Sequence, residues 1–134
     1  MNRLLHRDRT LEDLEDSRWP DPGPTTSLAE RVHALRRKPI GTLTVEDLRT
    51  LIVQSVGLPF LLPLAVEVLL NNPLVEGKFY EGDLLSAVTT RDPGSWSMFP
   101  DLARELGTVV SRLTDLPNEL HRDATSFLTT VGHA

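Results

Sequence analysis

The chain contains no cysteine and no long apolar run, and each absence excludes a class of protein. Without thiols there is no disulfide framework, thiolate metal site or cysteine nucleophile. The longest apolar run, residues 58–70, contains Pro59, Pro63 and Glu67 and is shorter than the ~20 residues that cross a bilayer. We therefore expect this run to be a buried element and not a membrane span.

The sequence also lacks the motifs of common enzyme sites. No Gly-x-Gly-x-x-Gly or phosphate-binding loop occurs, and no serine stands in a nucleophile elbow. The histidines are scattered, and no second histidine stands three or four residues away to build a helical metal site. They are His6, His33, His121 and His133. We predict no catalytic residue, no cofactor and no metal.

The composition is that of one globular domain. The 134 residues are 40% hydrophobic and 25% charged, which suits a chain that buries a single core. A net charge of −5 repels phosphate backbones and favours encounter with basic partners. Residues 1–16 lack the apolar segment of a secretory signal, so we expect a cytoplasmic protein.

Two charged runs have structural interpretations, the acidic run as a solvated face and the basic run as a helix end. Nothing beside the acidic run at 12–16 would desolvate one carboxyl group and prepare it for acid–base catalysis. The basic run at 36–38 has no interleaved aromatic residue and no second basic segment, so it gives little support for nucleic-acid binding. We interpret it as cations at a helix C-terminus, where they suit the helix dipole.

Proline divides the chain into an arm and a body. The segment 19–24, Trp-Pro-Asp-Pro-Gly-Pro, cannot support a helix because its prolines lack backbone donors and restrict the residues before them. We predict an N-terminal arm with a proline-rich linker over residues 1–24 and a helical domain over residues 25–134.

Helical periodicity and caps extend through the body. A first helix begins with a capping box at Ser27 and Glu30 and is stopped by Pro39. A second has Thr44 as its N-cap and ends at Gly57, which supplies the left-handed conformation.

Four more helices are predicted beyond Gly57. The third runs from about Leu62 to Leu70 with Pro63 in its first turn, a short fourth opens at Asp83, and two others begin near Pro100 and Pro117. No alternating run typical of a strand occurs. The prediction is an all-α fold, a compact single-domain bundle of about five to six helices with an irregular N-terminal arm.

Polar residues stand in otherwise apolar helical context. We predict that they form a structural polar network that fixes how the helices pack, with a recognition surface as the alternative. These residues are Arg49, Gln54, Glu67 and Asp83.

Short motifs in residues 35–85 resemble, in order and spacing, the contact-dependent growth inhibition (CDI) immunity proteins of bacteria. They are Val45-Glu46-Asp47-Leu48-Arg49, Ile52 with Gln54, Gly57-Leu58, Leu61-Leu62-Pro63-Leu64-Ala65, Asn72-Pro73-Leu74, Glu76-Gly77, Phe79-Tyr80 and Gly82-Asp83-Leu84-Leu85. Leu11-Glu12, Leu14-Glu15, Trp19 and Trp96 extend the resemblance over most of residues 10–105. Residues from Leu106 onward match nothing in that family.

The resemblance implies a protein that binds the toxic C-terminal domain of a delivered effector inside the producing cell. It would block the toxin's active site or its substrate's access, without catalysis of its own. Such toxins are commonly nucleases, whose basic groove suits an acidic inhibitor. Neither nucleic acid nor membrane is expected as a partner, and the free protein is expected to be a monomer or weak dimer.

An interface with a toxin should bury about 800 Å² on each partner and depend on a few aromatic anchors outside the helices. For each aromatic residue, packing into the core is the alternative. The candidate contact residues, aromatic and acidic, are Glu12, Asp13, Glu15, Asp16, Trp19, Glu76, Phe79, Tyr80, Glu81 and Trp96.

Two other functions are considered. One is a helical adaptor or regulator that binds a protein unrelated to any toxin. The other is a DNA-binding helix-turn-helix over residues 44–70, which ranks last because the second helix of that segment offers no lysine or arginine to a phosphate or base.

Overall fold

The computed structural model describes residues 7–20 and 23–131, and these residues form helices and no strand. The helices are α1 (Leu11–Glu15), α2 (Ser27–Leu35), α3 (Val45–Val53), α4 (Leu58–Asn71), α5 (Asp83–Thr89), α6 (Pro93–Trp96), α7 (Pro100–Ser111) and α8 (Asn118–Val131), with a 3-10 turn at Ile40–Thr42. The all-α prediction is confirmed. The predicted count of five to six was too low, because α1 and α6 are too short to give a periodic signal.

Side-chain caps position α2 and α3. The N-cap of α2 is Thr26, whose hydroxyl accepts the Ala29 N–H at 3.1 Å, one residue before the predicted Ser27. Thr44 caps α3 as predicted, and it forms a capping box with Asp47 in which both reciprocal hydrogen bonds are present. The capping box holds the start of α3, the helix that carries Glu46 and Arg49.

The boundary between α3 and α4 differs from the prediction. Helix α3 ends at Val53, and Ser55 takes the left-handed conformation with a φ of 58°. Gly57, with a φ of 68°, is the N-cap of α4. Pro59 therefore occupies the first turn, where no N–H is needed, and Pro63 lies inside the helix.

Helix α4 is the centre of the core and packs against α3, α5 and α7. Its buried side chains are Leu61, Leu62, Leu64, Ala65, Val66 and Leu69. The C-terminal helix α8 packs on α5, α6 and α7 through Leu120, Ala124 and Phe127, which are buried. Within the described residues, no helix is long and apolar enough to cross a membrane.

The described part of the N-terminal arm is packed on the body and is not irregular throughout. Leu11 of α1 is fully buried in the core, and its methyl groups lie beside Gly57. Main-chain hydrogen bonds join Glu12 to Arg36 and Ile40 to Arg9. Residues 1–6, 21 and 22 of the predicted arm and residues 132–134 of the predicted domain lie outside the described residues.

Arg36, the first residue of the basic run, is the C-cap residue of α2. Its side chain is 1% exposed. Nη2 donates to Glu15 at 2.6 Å and to the Ser17 carbonyl at 3.0 Å. The guanidinium carbon lies 4.0 Å from the ring centroid of Trp19. The arm and α2 are therefore joined through a buried cation, which the local sequence did not indicate.

A candidate partner-binding surface

The loop at residues 76–81 connects α4 to α5 and is closed at its base. Glu76 and Glu81 face each other in an isolated antiparallel bridge. The Gly82 N–H also donates to the Val75 carbonyl at 3.3 Å. The chain thus leaves the body and returns to it within a few residues.

Asp83, at the start of α5, holds the loop from one side. Its carboxylate accepts the backbone N–H of Gly77 at 2.6 Å, of Phe79 at 3.0 Å and of Tyr80 at 3.4 Å. The side chain is buried, and a carboxylate at a helix N-terminus is favoured by the helix dipole. One carboxylate therefore holds three backbone amides of the loop.

Glu46 of α3 holds the loop from the other side. Its Oε1 accepts the Lys78 N–H at 2.8 Å, and its two oxygens accept Nε and Nη2 of Arg49 at 2.8 and 2.6 Å. The hydrogen bonds from Arg49 are the main cause that lowers the pKa of Glu46 to about 2, against the opposing effect of burial. The carboxylate stays ionised at neutral pH.

Gly77 lies close to the carboxylates of both anchors. A Cβ at this position would lie 2.8 Å from Oε1 of Glu46 and 3.0 Å from each carboxylate oxygen of Asp83. Contacts under 3.0 Å require something to shift, so a side chain here would displace one or both carboxylates.

The loop presents two aromatic side chains to solvent. Phe79 is 61% exposed and Tyr80 is 48% exposed. The guanidinium carbon of Arg49 lies 4.5 Å from the centroid of the Phe79 ring, within the range of a cation–π contact. The side chains of Glu76 and Glu81 are also exposed, and in the described ranges neither forms an ion pair.

The sequence matches the family of CDI immunity proteins over residues 13–106. The chain belongs to this family. A search of curated proteins finds no match. Family membership makes this chain a toxin-neutralising immunity protein with a cognate toxin protein as its partner, in a family that generally acts without catalysis. The matched segment contains the 76–81 loop and both of its anchors, and it ends within α7.

The predicted four-residue polar network of this immunity protein was wrong as one unit. Arg49 and Asp83 do contact the same loop, residues 76–81. Gln54 is the exposed C-cap residue of α3, and Glu67 of α4 pairs with Arg7 of the arm. Sequence reasoning did not select Glu46 as a site residue, although it stands three residues before Arg49 on the same helix face.

Trp96, one of the candidate contact residues, is buried in the core. It is 2% exposed, its Nε1 donates to the Val88 carbonyl at 3.1 Å, and its ring meets Phe127 edge to face at 5.2 Å. The alternative that it packs into the core is the correct one. Its polar N–H finds a backbone acceptor, so burial leaves no group unsatisfied.

The acidic arm of the immunity protein is partly neutralised by its own basic run. Glu12 pairs with Arg37 at 3.2 Å, and Glu15 pairs with Arg36. Asp13 and Asp16 are exposed. The arm is therefore a weaker candidate for a charged contact surface than its sequence predicts.

An open, mainly apolar groove of about 550 Å³ lies between the arm, α2 and the end of α3. Trp19, 36% exposed, forms one wall, and Leu28 and Val56 are among the other lining residues. Leu28 of α2 is 45% exposed.

The geometry gives no metal site in the part of the chain that the structure describes. His33 is buried, and its Nε2 lies 2.6 Å from the Pro20 carbonyl. His6 and His133 lie outside the described residues.

Proposed function

We propose that this immunity protein binds the C-terminal toxin domain of a CDI effector through the 76–81 loop. Binding covers the toxin's active site or the path of its substrate. The observation that carries the proposal is the combination of two exposed aromatic side chains with a backbone fixed by Glu46 and Asp83.

A preformed loop is an efficient recognition element. Ordering a mobile loop on binding costs free energy, and a loop already held in shape avoids most of that cost. Aromatic side chains are enriched among the residues that carry most of the binding energy. Phe79 and Tyr80 are thus the proposed anchors, with Glu76 and Glu81 at the rim of the contact.

Charge favours a basic toxin surface. The chain carries a net charge of −5, and Glu76 and Glu81 place two exposed carboxylates beside the aromatic pair. A nuclease has to attract a phosphate backbone, so the entrance to its active site is basic. We therefore propose a nuclease as the toxin class, with neutralisation in the cytoplasm of the producing cell by a protein that is monomeric or weakly dimeric when free.

Co-expression tests the function directly. The C-terminal toxin domain of the cognate CDI effector is expressed in bacteria with and without the immunity protein, and surviving colonies are counted. We expect killing without the immunity protein and survival with it. Equal killing in both cultures would exclude the proposed function.

Substitutions test the proposed surface. We expect the double substitution Phe79→Ala and Tyr80→Ala to abolish protection while the chain remains folded. Met98→Ala is the matched control, because Met98 is a large apolar residue that is 54% exposed outside the loop. Full protection by the double variant would place the interface elsewhere.

A further inference from the structure

We propose that Glu46 is a positioning residue, which holds the 76–81 loop in its binding-competent shape without touching the toxin. Its loss should therefore slow association and leave dissociation nearly unchanged. This inference rests on the proposed function, because it takes the loop to be the toxin-binding element.

The carboxylate of Glu46 is fully engaged inside the chain. Oε1 accepts from the Lys78 amide and from Nε of Arg49, and Oε2 accepts from Nη2 of Arg49 and from the Thr50 hydroxyl at 3.2 Å. The side chain is only 16% exposed. It has little surface and no unused oxygen to offer a partner.

Two connections lead from Glu46 to the aromatic anchors. The first is direct, through the N–H of Lys78, the residue before Phe79. The second passes through Arg49. Its guanidinium donates two hydrogen bonds to Glu46 and lies against the face of the Phe79 ring. Without Glu46, Arg49 becomes free to rotate and the ring loses its support.

The loop would remain attached without Glu46, because Asp83 still holds three amides. The expected defect is a smaller population of the competent shape and not the loss of the loop. When only a fraction of molecules is competent, the apparent Kd rises in inverse proportion to that fraction. The contacts made once bound are unchanged, so the rise comes from association.

This kinetic pattern distinguishes a positioning residue from a contact residue. Substitutions that remove interface contacts act mostly on the dissociation rate. We expect Glu46→Ala to slow association by about tenfold with dissociation within about twofold of the original rate. Phe79→Ala should show the reverse, with faster dissociation.

The experiment measures association and dissociation rates for residues 1–134 of this chain and the purified C-terminal toxin domain of the cognate effector. Asp101→Asn is the matched control, because Asp101 and Arg104 form an exposed pair with the same three-residue spacing on α7. It removes one negative charge, as Glu46→Gln does, and should leave both rates unchanged. Glu46→Gln keeps an oxygen for the Lys78 amide and should give a milder defect than alanine.

Faster dissociation with unchanged association in Glu46→Ala, or rates equal to those of the original chain, would overturn the proposal. If the alanine variant does not fold, the glutamine variant carries the same test. Amide hydrogen exchange of the free protein adds a readout that needs no toxin. We expect at least about tenfold faster exchange at Lys78 in Glu46→Ala, with core amides of α4 unchanged. Unchanged exchange at Lys78 would also overturn the positioning role of Glu46. Absence of any toxin binding by the original chain would instead reject the proposed function.

Discussion

At the scale of single residues, Glu46 links the stability of the chain to pH. Hydrogen bonds from Arg49 are the main cause that holds its pKa at about 2, below the ordinary value of 4.5. Between these values the unfolded chain binds more protons than the folded chain, so stability rises with pH. The contribution is complete above about pH 4.5 and is lost as the pH falls towards 2.

We predict that the difference in unfolding free energy between the original chain and Glu46→Gln depends on pH. It should be on the order of 3 kcal/mol near neutral pH and should fall towards zero at about pH 2, because a protonated glutamate resembles glutamine. Urea unfolding across this pH range measures it. A difference that is the same at every pH would contradict the prediction.

Arg36 gives a second prediction at this scale. Arg36→Met should lower the unfolding free energy by about 2 kcal/mol, since it leaves Glu15 without its buried partner. Glu15 retains some exposure, which limits the loss. Arg37→Met is the control, because Arg37 is 53% exposed and its loss should cost less than about 0.5 kcal/mol. Chemical denaturation compares the two, and equal losses would show that the burial of Arg36 has no energetic consequence.

At the scale of elements, Gly57 lies at the contact between α1 and α4. It begins α4 with a φ of 68°, and a Cβ would lie 2.7 and 2.8 Å from the methyl groups of Leu11 in α1. We predict that Gly57→Ala destabilises the chain by about 2–3 kcal/mol, through left-handed strain and displacement of a buried leucine.

Gly94→Ala is the matched control for Gly57→Ala. It stands in α6, where the nearest atoms outside its chain neighbours and its own helix backbone lie 4.0 Å from the added Cβ, so its effect should stay within about 0.5 kcal/mol. Thermal unfolding followed by circular dichroism measures both variants. A neutral result for Gly57→Ala would mean that α1 is not seated against α4 as described.

Signals from residues close in sequence, such as caps and apolar spacing, predicted the helices that those residues determine. The Thr44 cap and the apolar spacing of α3, α7 and α8 identified those helices from sequence alone. The start of α4 was missed because Pro59 and Pro63 both suit a first turn, and the sequence does not say which one is used. The left-handed Ser55 ended α3 before Gly57 was reached.

The candidate site was only partly predictable, because some of its contacts join residues that are far apart in the sequence. Phe79, Tyr80 and their neighbouring glutamates could be selected as a loop rich in aromatic and acidic residues. Glu46, which accepts a hydrogen bond from the Lys78 amide, lies 32 residues before Lys78 in the sequence. Burial of Arg36 and Trp96 likewise depends on partners that only folding brings together.

At the scale of the whole molecule, the family match and the folding unit have different limits. The match ends at residue 106, but α8 covers Trp96 and packs on α5 and α7 beyond that point. Leu120 of α8 also reaches the Gly82 turn at the base of the 76–81 loop. The C-terminal helix is therefore part of the same core.

We predict that a chain ending at Pro117 loses cooperative unfolding. Removing α8 exposes the surface that Leu120 and Phe127 bury, and each such side chain contributes about 1.5–3 kcal/mol. That sum is comparable with the net stability of a typical domain, which is about 5–15 kcal/mol. Calorimetry of the shortened and full chains measures the effect, and a sharp transition within a few degrees of the original would contradict the prediction.

The carboxylates of Glu46 and Asp83 accept hydrogen bonds from the main-chain amides of four successive residues, 77–80. Every amino acid except proline supplies such an amide, so the identities of Lys78 and Tyr80 are free to vary while the fold of the tip persists. Exchange of the tip side chains therefore leaves all four hydrogen bonds available, provided that Glu46 and Asp83 are retained.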